Sequence, residues 1–524
     1  MPGVALAALA LGAGHGEAQL VGGHVTGGQA TINALSPTST VINQQSQNAS
    51  FRWQSFSIPA GSAVAFRQPS TSSIALNTVT GGSASAIYGS LTANGHVWLI
   101  NPNGIVVGPS AQVTAAGVLL STIGTSDQDF MAGNYAFNTP GHSDAAIVNH
   151  GHVVATSGGS VVMVAPQVRN DGLVEADLGT VVLAGAKAFT VDFAGDALLK
   201  FAITKPVDAV PVGTKSLVTN TGTVAASGGT VLMTAQAAQG VLDNVINTSG
   251  IVEATSVAQV GGTIVLAATG GGTTVSGTLD ASGTGTGEAG GTVAVLGDSV
   301  TLTATARVNV SGDSGGGTAL VGGNLHGAGP QQNAASTTVA QGAVIDASAI
   351  ASGNGGTVAV WADDRTRFDG AIIARGGLAG GNGGFVETSG REQLSVQTGS
   401  VDTSAPHGSL GTWLLDPTDI TVASGISGAI DPATLGAASS NVLLQAANDI
   451  TFDNGVFIGA AGVGITARAG NSITVAPGAE IDTNGGNITL SANDPTGPAS
   501  GRGSIVIDAT LSTAGVDPIH STLV

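Results

Sequence analysis

The chain has 524 residues, among them 82 glycines, 14 Lys plus Arg and no cysteine, and a formal net charge of −19. Its mean hydropathy is positive, which excludes the low-hydropathy, high-charge regime of disorder. The acidity, with no basic patch to release phosphate counterions, excludes nucleic acid as a partner. Aromatic residues make up only 3%, so buried volume must come from Val, Ile, Leu and Ala, the residues of parallel sheets covered on both faces. The missing cysteines suit a chain that crosses an oxidising periplasm without locking into disulfides. Drift in an unselected residue explains them equally well.

In chain order, residues 4–13 form an apolar run followed by small residues up to Glu17-Ala18-Gln19, the pattern of a signal-peptide h-region and cleavage zone. The run is shorter than the roughly 20 residues that a spanning helix needs. It also lacks a basic n-region, so residues 1–19 are expected to be a signal peptide whose leading end lies upstream. No later segment reads as transmembrane.

Residues from about 20 to 200 differ in texture from the rest of the chain. Trp53, Tyr88, Trp98 and Tyr135 all fall here, and aromatic density at one end of a stacked array suits a cap over a first coil that has no neighbour. Trp53, Phe56, Phe66 and Trp98 are the expected core of this module. Asn101-Pro102-Asn103-Gly104 reads as a tight turn between strands 96–100 and 105–107. Pro102 pre-sets φ at the second position, Asn103 tolerates the third, Gly104 closes the turn, and the Asn101 side chain can bond the backbone. A turn needed for folding is the plain reading; recognition of the turn and its flanks by a partner is the functional one.

Beyond residue 140 a strand phrase recurs. It begins as Gly158-Gly159-Ser160-Val161-Val162-Met163 and returns as Gly-Gly-Thr or Gly-Gly-Phe followed by apolar residues at 228, 261, 290, 316, 355 and 383. The spacings run from 26 to 39 residues with one of 70, and repeats in this range mark solenoids. Each glycine pair is expected to supply a positive-φ corner, and the β-branched run after it a short strand. Weaker strands such as Val344-Ile345-Asp346 fall between the phrases. No capped helical periodicity competes, and glycine in a helix costs about 1 kcal/mol per residue. The predicted fold is all-β, a right-handed parallel β-helix with an N-terminal capped module. Coils of about 20–25 residues stacked at about 4.8 Å would make a rod on the order of 100 Å long.

Several ordered motifs then carry a family resemblance: Asn43-Gln44-Gln45, Phe51-Arg52-Trp53-Gln54-Ser55-Phe56, Val64-Ala65-Phe66-Arg67-Gln68-Pro69-Ser70, Ala75-Leu76-Asn77-Thr78-Val79-Thr80-Gly81-Gly82, and Gly95-His96-Val97-Trp98-Leu99-Ile100-Asn101-Pro102-Asn103-Gly104. Together they resemble the secretion domain of filamentous-haemagglutinin-type exoproteins, the passengers of two-partner secretion. Asp192-Phe193-Ala194-Gly195-Asp196-Ala197-Leu198-Leu199, Val360-Trp361-Ala362-Asp363 and Gly411-Thr412-Trp413-Leu414-Leu415-Asp416-Pro417 extend the likeness downstream. The family's second tetrapeptide, Asn-Pro-Asn-Leu, is absent. The resemblance implies an outer-membrane β-barrel transporter with periplasmic recognition domains, a module whose folding is coupled to export, a surface adhesin role and secretion to the cell surface. The implied organisation is a secretion and haemagglutination module over 20–140, a β-helical rod over 141–410, and further coils over 411–524 that end in truncation. No cofactor, metal or catalytic residue is implied.

The rival class is a β-helical polysaccharide-processing enzyme, which needs carboxylates and a base on one strand face. Asp363-Asp364-Arg365-Thr366-Arg367, with Glu387, is the best candidate set; a solvated turn with local ion pairs is the preferred reading of it. His96, His142, His150, His152, His326 and His407 are scattered without metal-ligand spacing. Gly312-Asp313-Ser314-Gly315-Gly316-Gly317 resembles one calcium-binding nonapeptide but stands alone. Asn48, Asn247, Asn309 and Asn487 lie in Asn-x-Ser/Thr sequons, which chance explains in so Ser/Thr-rich a chain. A third reading is the export half of a toxin-delivery exoprotein.

Overall fold

A computed structural model describes residues 20–142, 144–193, 199–211, 213–494, 502–513 and 522–523. The signal-peptide expectation and residues 194–198 of the downstream motif lie outside the described residues.

The strand phrases stack in parallel, each pairing with its equivalent one coil away. Val161, Val181, Val231, Ile264, Val293, Ala319, Val358 and Val386 lie side by side in one register line. Trp413, Val442, Ile465 and Ile488 continue it. Every member is buried, and each fully covered aliphatic side chain contributes about 1.5–3 kcal/mol. A second column runs through Leu173–Glu175, Thr223–Ala225, Ile251–Glu253 and Thr278–Asp280. A third, eleven strands among the described residues, runs from Ser85–Ile87 to Gln393–Ser395. Three strand columns around one aliphatic interior make a parallel β-helix, as the sequence predicts. Its connections are of the parallel crossover type for which the right hand is the rule.

The glycine pairs have a different basis from the expected one. Gly158 and Gly228 do take positive φ, at +78° and +66°, but the first glycines at 261, 290, 316, 355 and 383 do not. At 290, 316, 355 and 383 what excludes a side chain is the adjoining coil, whereas a Cβ on Gly261 would meet nothing closer than 3.6 Å. A Cβ on Gly317 would sit 2.1 Å from the Gly291 carbonyl oxygen, and one on Gly316 would sit 1.8 Å from that of Ala347. Glycine is required because backbones of successive coils touch at this corner.

The 70-residue gap hides a coil. Strand Thr180–Gly185 pairs between Ser160–Ala165 and Thr230–Gln236, preceded by Leu178-Gly179 instead of a glycine pair. Leu178 adopts the same left-handed corner, φ +55°, with its side chain half exposed. The surplus length forms a hairpin, Ala188–Phe193 with Leu199–Lys205, joined by Ala136–Phe137 in an antiparallel sheet. With the short helix Asp127–Met131, capped by Ser126 Oγ accepting the Asp129 N–H at 3.0 Å, this sheet lies outside the coil. That helix and Pro432–Gly436 depart from the helix-free expectation; both are five-residue loop elements and not part of the coil.

The N-terminal end is closed by antiparallel pairing. His24–Gly27 covers the free edge of Asn48–Trp53, and Ala30–Ser36 covers that of Ser39–Gln44. On their other edges these two strands pair in parallel with Ile74–Val79 and Ala63–Arg67. An edge that would otherwise present open N–H and C=O groups is thereby satisfied.

Candidate functional site

The turn at 101–104 forms as its residue types dictate. The Gly104 N–H donates to the Asn101 carbonyl at 3.1 Å, Gly104 has φ +112°, and Asn101 Oδ1 accepts the Asn103 N–H at 2.9 Å. The turn is tied to the preceding coil: Asn101 Nδ2 donates to the Ser83 carbonyl and Ser85 Oγ, both at 3.0 Å, and Asn103 Nδ2 to the Gly81 carbonyl at 2.8 Å. Residues 141–142 lie over it, with the His142 N–H donating to the Pro102 carbonyl at 2.9 Å. Asn101 and Gly104 are buried, and Pro102 and Asn103 half-buried. In the folded state the turn is a structural joint between coils with little surface of its own.

Trp53, Phe56 and Phe66 are all buried inside the coil. The rings of Trp53 and Phe56 meet edge to face at 5.5 Å, those of Phe51 and Phe66 at 6.3 Å, and Trp53 Nε1 donates to Asn77 Oδ1 at 3.0 Å. Trp98 is buried too but does not join them. It lies on the opposite face of its strand, in a second cluster with Phe130, Phe137, Phe189 and Val162 beneath the outer sheet. Its ring centroid is 4.8 Å from that of Tyr135 and 5.6 Å from that of Phe130. Alternation along His96–Ile100 signals two faces, but only the outer sheet makes the second one dry.

Polar ladders inside the corners were not legible as sites. Asn149 Nδ2 donates to Asn170 Oδ1 at 2.8 Å, and Asn170 Nδ2 to Asn220 Oδ1 at 2.9 Å. Three residues 21 and 50 positions apart so share one line through successive coils. Gln68 Nε2 donates similarly to Gln44 Oε1 at 3.2 Å. Beside the module a groove of about 830 Å³ crosses the coil corners, lined by Gln47, Tyr135, Thr156, Leu178, Gly228 and Val260 among others.

The carboxylate set does not assemble as a catalytic group. Asp363 pairs with Arg391 at 2.8 Å and accepts from Trp361 Nε1 at 3.1 Å. Arg365 Nε donates to Gln393 Oε1 at 3.0 Å, and Arg367 pairs with Asp369 at 2.5 Å. Glu387 turns to His326 and Asp416 instead. His150 pairs with Asp171 at 3.2 Å; burial works against the Asp171 carboxylate, but Arg169, Thr221 and His150 outweigh it and hold its pKa below the usual value. Asp313 Oδ2 accepts the Gly287 N–H at 2.7 Å, as a turn residue. Of the four sequon asparagines, only Asn487 is exposed. Among the described residues, no helix is long and apolar enough to cross a membrane.

A parallel β-helix closed by antiparallel hairpins and dressed with an outer aromatic sheet is the architecture of an exported solenoid. The chain belongs to the family of two-partner secretion (TPS) secretion domains, whose model matches residues 16–281. It is similar to the solved HMW1 secretion domain from Haemophilus influenzae, with 29% identity, a TM-score of 0.61, and coverage of 76% of this chain and 100% of that one. A heme/hemopexin-binding protein of H. influenzae strain KW20 / Rd is 30% identical over 256 residues, 47% of this chain and 27% of the relative. A second heme/hemopexin-binding protein of H. influenzae is 42% identical over 95 residues, 18% of this chain and 10% of the relative. The chain thus spans about a quarter, or less, of the length of these curated relatives. Membership implies a partner outer-membrane transporter and an extracellular or surface location. The relatives are named for secretion and for heme/hemopexin binding.

Proposed function

We propose that this chain is the passenger of a two-partner system in which residues 20–140 direct export through an outer-membrane β-barrel with periplasmic recognition domains and nucleate the β-helix. The rod over 141–410 and the coils over 411–524 then act as a surface adhesin. The observation that carries this reading is the asymmetry of the first coil. The outer edges of its strands 39–44 and 48–53 are occupied by antiparallel strands and their inner edges pair in parallel with the second coil. Such an end can grow in one direction only. In the unfolded passenger the segment around Asn101-Pro102-Asn103-Gly104 is extended and open to β-augmentation on a sheet edge of the transporter. Burial of the same turn on folding would withdraw it from that partner and release the module.

Trp53, Phe56 and Phe66 would supply the interior of the nucleus, and Trp98 its outer seal. The adhesive surface is assigned to the flanks of the rod, where the groove beside Leu178 and Val260 offers shallow, repeated contacts. The ligand in the name of the heme/hemopexin-binding relatives is not carried over, because the match spans at most 27% of their length. The test is export of the full chain with its transporter. Deleting residues 20–140 should abolish release while leaving cellular expression unchanged; continued release of the deleted chain rejects the proposal.

A further inference from the structure

One cluster of ionisable groups is not explained by export or by coil packing. His326 lies in the excursion that follows strand Thr318–Val321, Glu387 in strand Phe385–Gly390, and Asp416 just after Thr412–Leu415. Strand Thr357–Ala362 and the coil register bring them together: Leu320, Ala359, Glu387 and Leu414 stand in one line on the outward face of the sheet. The excursion folds back over that face. Gly327 rests on the Trp361 ring, and Asn333 Nδ2 donates to the Gly327 carbonyl at 2.8 Å and to Asp363 Oδ1 at 3.2 Å. His326 is held with φ +55°, and its N–H donates to Glu387 Oε2 at 2.8 Å.

The Glu387 side chain is 0% exposed. Its second oxygen, Oε1, accepts no hydrogen bond and is aimed at His326, 3.8 Å from Nδ1. Asp416 Oδ2 is 3.5 Å from the same nitrogen. One ligand atom from each of the three residues lies within 4.8 Å of the others. A buried carboxylate oxygen without a donor is costly, and two carboxylates facing one imidazole nitrogen across such a gap leave room for a cation.

We propose that His326 Nδ1, Glu387 Oε1 and Asp416 Oδ2 bind a divalent transition-metal ion, with solvent completing the coordination on the open side, where His326 is half exposed. Ligand bonds of about 2.0–2.2 Å place neighbouring donors about 3.3 Å apart around a tetrahedral ion, so the cluster needs to contract by only a fraction of an ångström to 1.5 Å. One imidazole with two carboxylates suits zinc or manganese better than copper(I) or the all-oxygen sites of calcium. Two negative charges match a divalent ion and a neutral imidazole. An outer shell is present: Gln445 Nε2 donates to Asp416 Oδ2 at 3.4 Å, and Ser389 Oγ accepts the Asp416 N–H at 3.0 Å. Burial pushes the Glu387 and Asp416 carboxyls up, only partly offset by His326, by Ser389 at Glu387 and by Gln445 at Asp416, which is the environment a bound cation would relieve. Such an ion would fasten the excursion to strands two and three coils away.

The test is calorimetric titration of the full chain with zinc chloride and, separately, manganese chloride near neutral pH. One ion per chain should bind, and E387Q and H326A should each weaken binding by about 100-fold, with a metal-dependent rise in Tm seen in the unsubstituted chain and in neither of these two variants. E387Q retains an acceptor for the His326 N–H, and H326A alters a half-exposed loop side chain, so either can be read if the other misfolds. D364N, on an exposed residue outside the cluster, should bind as the unsubstituted chain does. No stoichiometric uptake of either ion at about 1 mM overturns the proposal. So does binding that survives both substitutions unchanged.

Discussion

The outward face of one continuous sheet is treated in two ways along this molecule. From Leu76 through Trp98, Leu119, Val162 and Val182 the outward line is buried under the helix Asp127–Met131 and the outer antiparallel sheet, so the strands have a core on each side. Further along the same line Leu232, Val265 and Leu320 are half exposed, and stability there rests on the inner aliphatic column and the fit of one coil on the next, until the excursion after Val321 covers the face again at Ala359 and Glu387. The strand phrase is similar in both regions. What differs is whether the chain supplies a lid, and the lid is made from two excursions, residues 127–137 and the surplus of the 50-residue coil between Val181 and Val231. The N-terminal part is thus a module with two cores, and the remainder a rod whose packing is set by its neighbours.

The largest effect is expected in the rod. Gly317→Val must push a side chain into the Gly291 backbone, 2.1 Å away. It should cost about 3 kcal/mol or more in urea unfolding and open nearby coils to protease, whereas Gly82→Ala, with open space around it, should change neither. Equal tolerance of both would break the claim that corner glycines are set by coil contact. Next comes the lid. Phe189, fully buried and stacked on Phe137 at 4.4 Å, should cost about 3–5 kcal/mol when replaced by Ala. Hydrogen exchange should place that loss in residues 188–205 while Val161 and Val181 keep their protection; loss in both would merge the two cores into one. The smallest effect has the opposite sign. Leu178→Gly removes a left-handed leucine from a corner that glycine fills at 158 and 228. It should stabilise the chain by about 1 kcal/mol, read as a small rise in Tm.

Much of the fold was legible because coil physics repeats. Glycine pairs followed by Thr-Val runs gave the strand column, and Asn101-Pro102-Asn103-Gly104 gave a turn whose bonds are those its residues can make. What escaped depended on neighbours remote in sequence. Leu178 concealed a coil because an unfavourable residue occupies a glycine corner. Trp98 reads like Trp53 in a string of letters, and only the helix 127–131, strand 136–137 and the later strands 188–205 turn its side into a dry one. Asn149, Asn170 and Asn220 are ordinary asparagines until stacking aligns them. His326 and Glu387 are 61 residues apart, so no local spacing could mark them as neighbours.

Growth from the capped end is the claim on which the rest stands, and pulse-labelled hydrogen exchange during refolding of the full chain tests it most directly. Amides in Ser39–Gln44, Ile74–Val79, His96–Ile100 and Gln112–Ser121 should gain protection first, followed by later coils in chain order. Protection that appears first in Asn441–Ala446 or Ile465–Ala469, or everywhere at once, would contradict it.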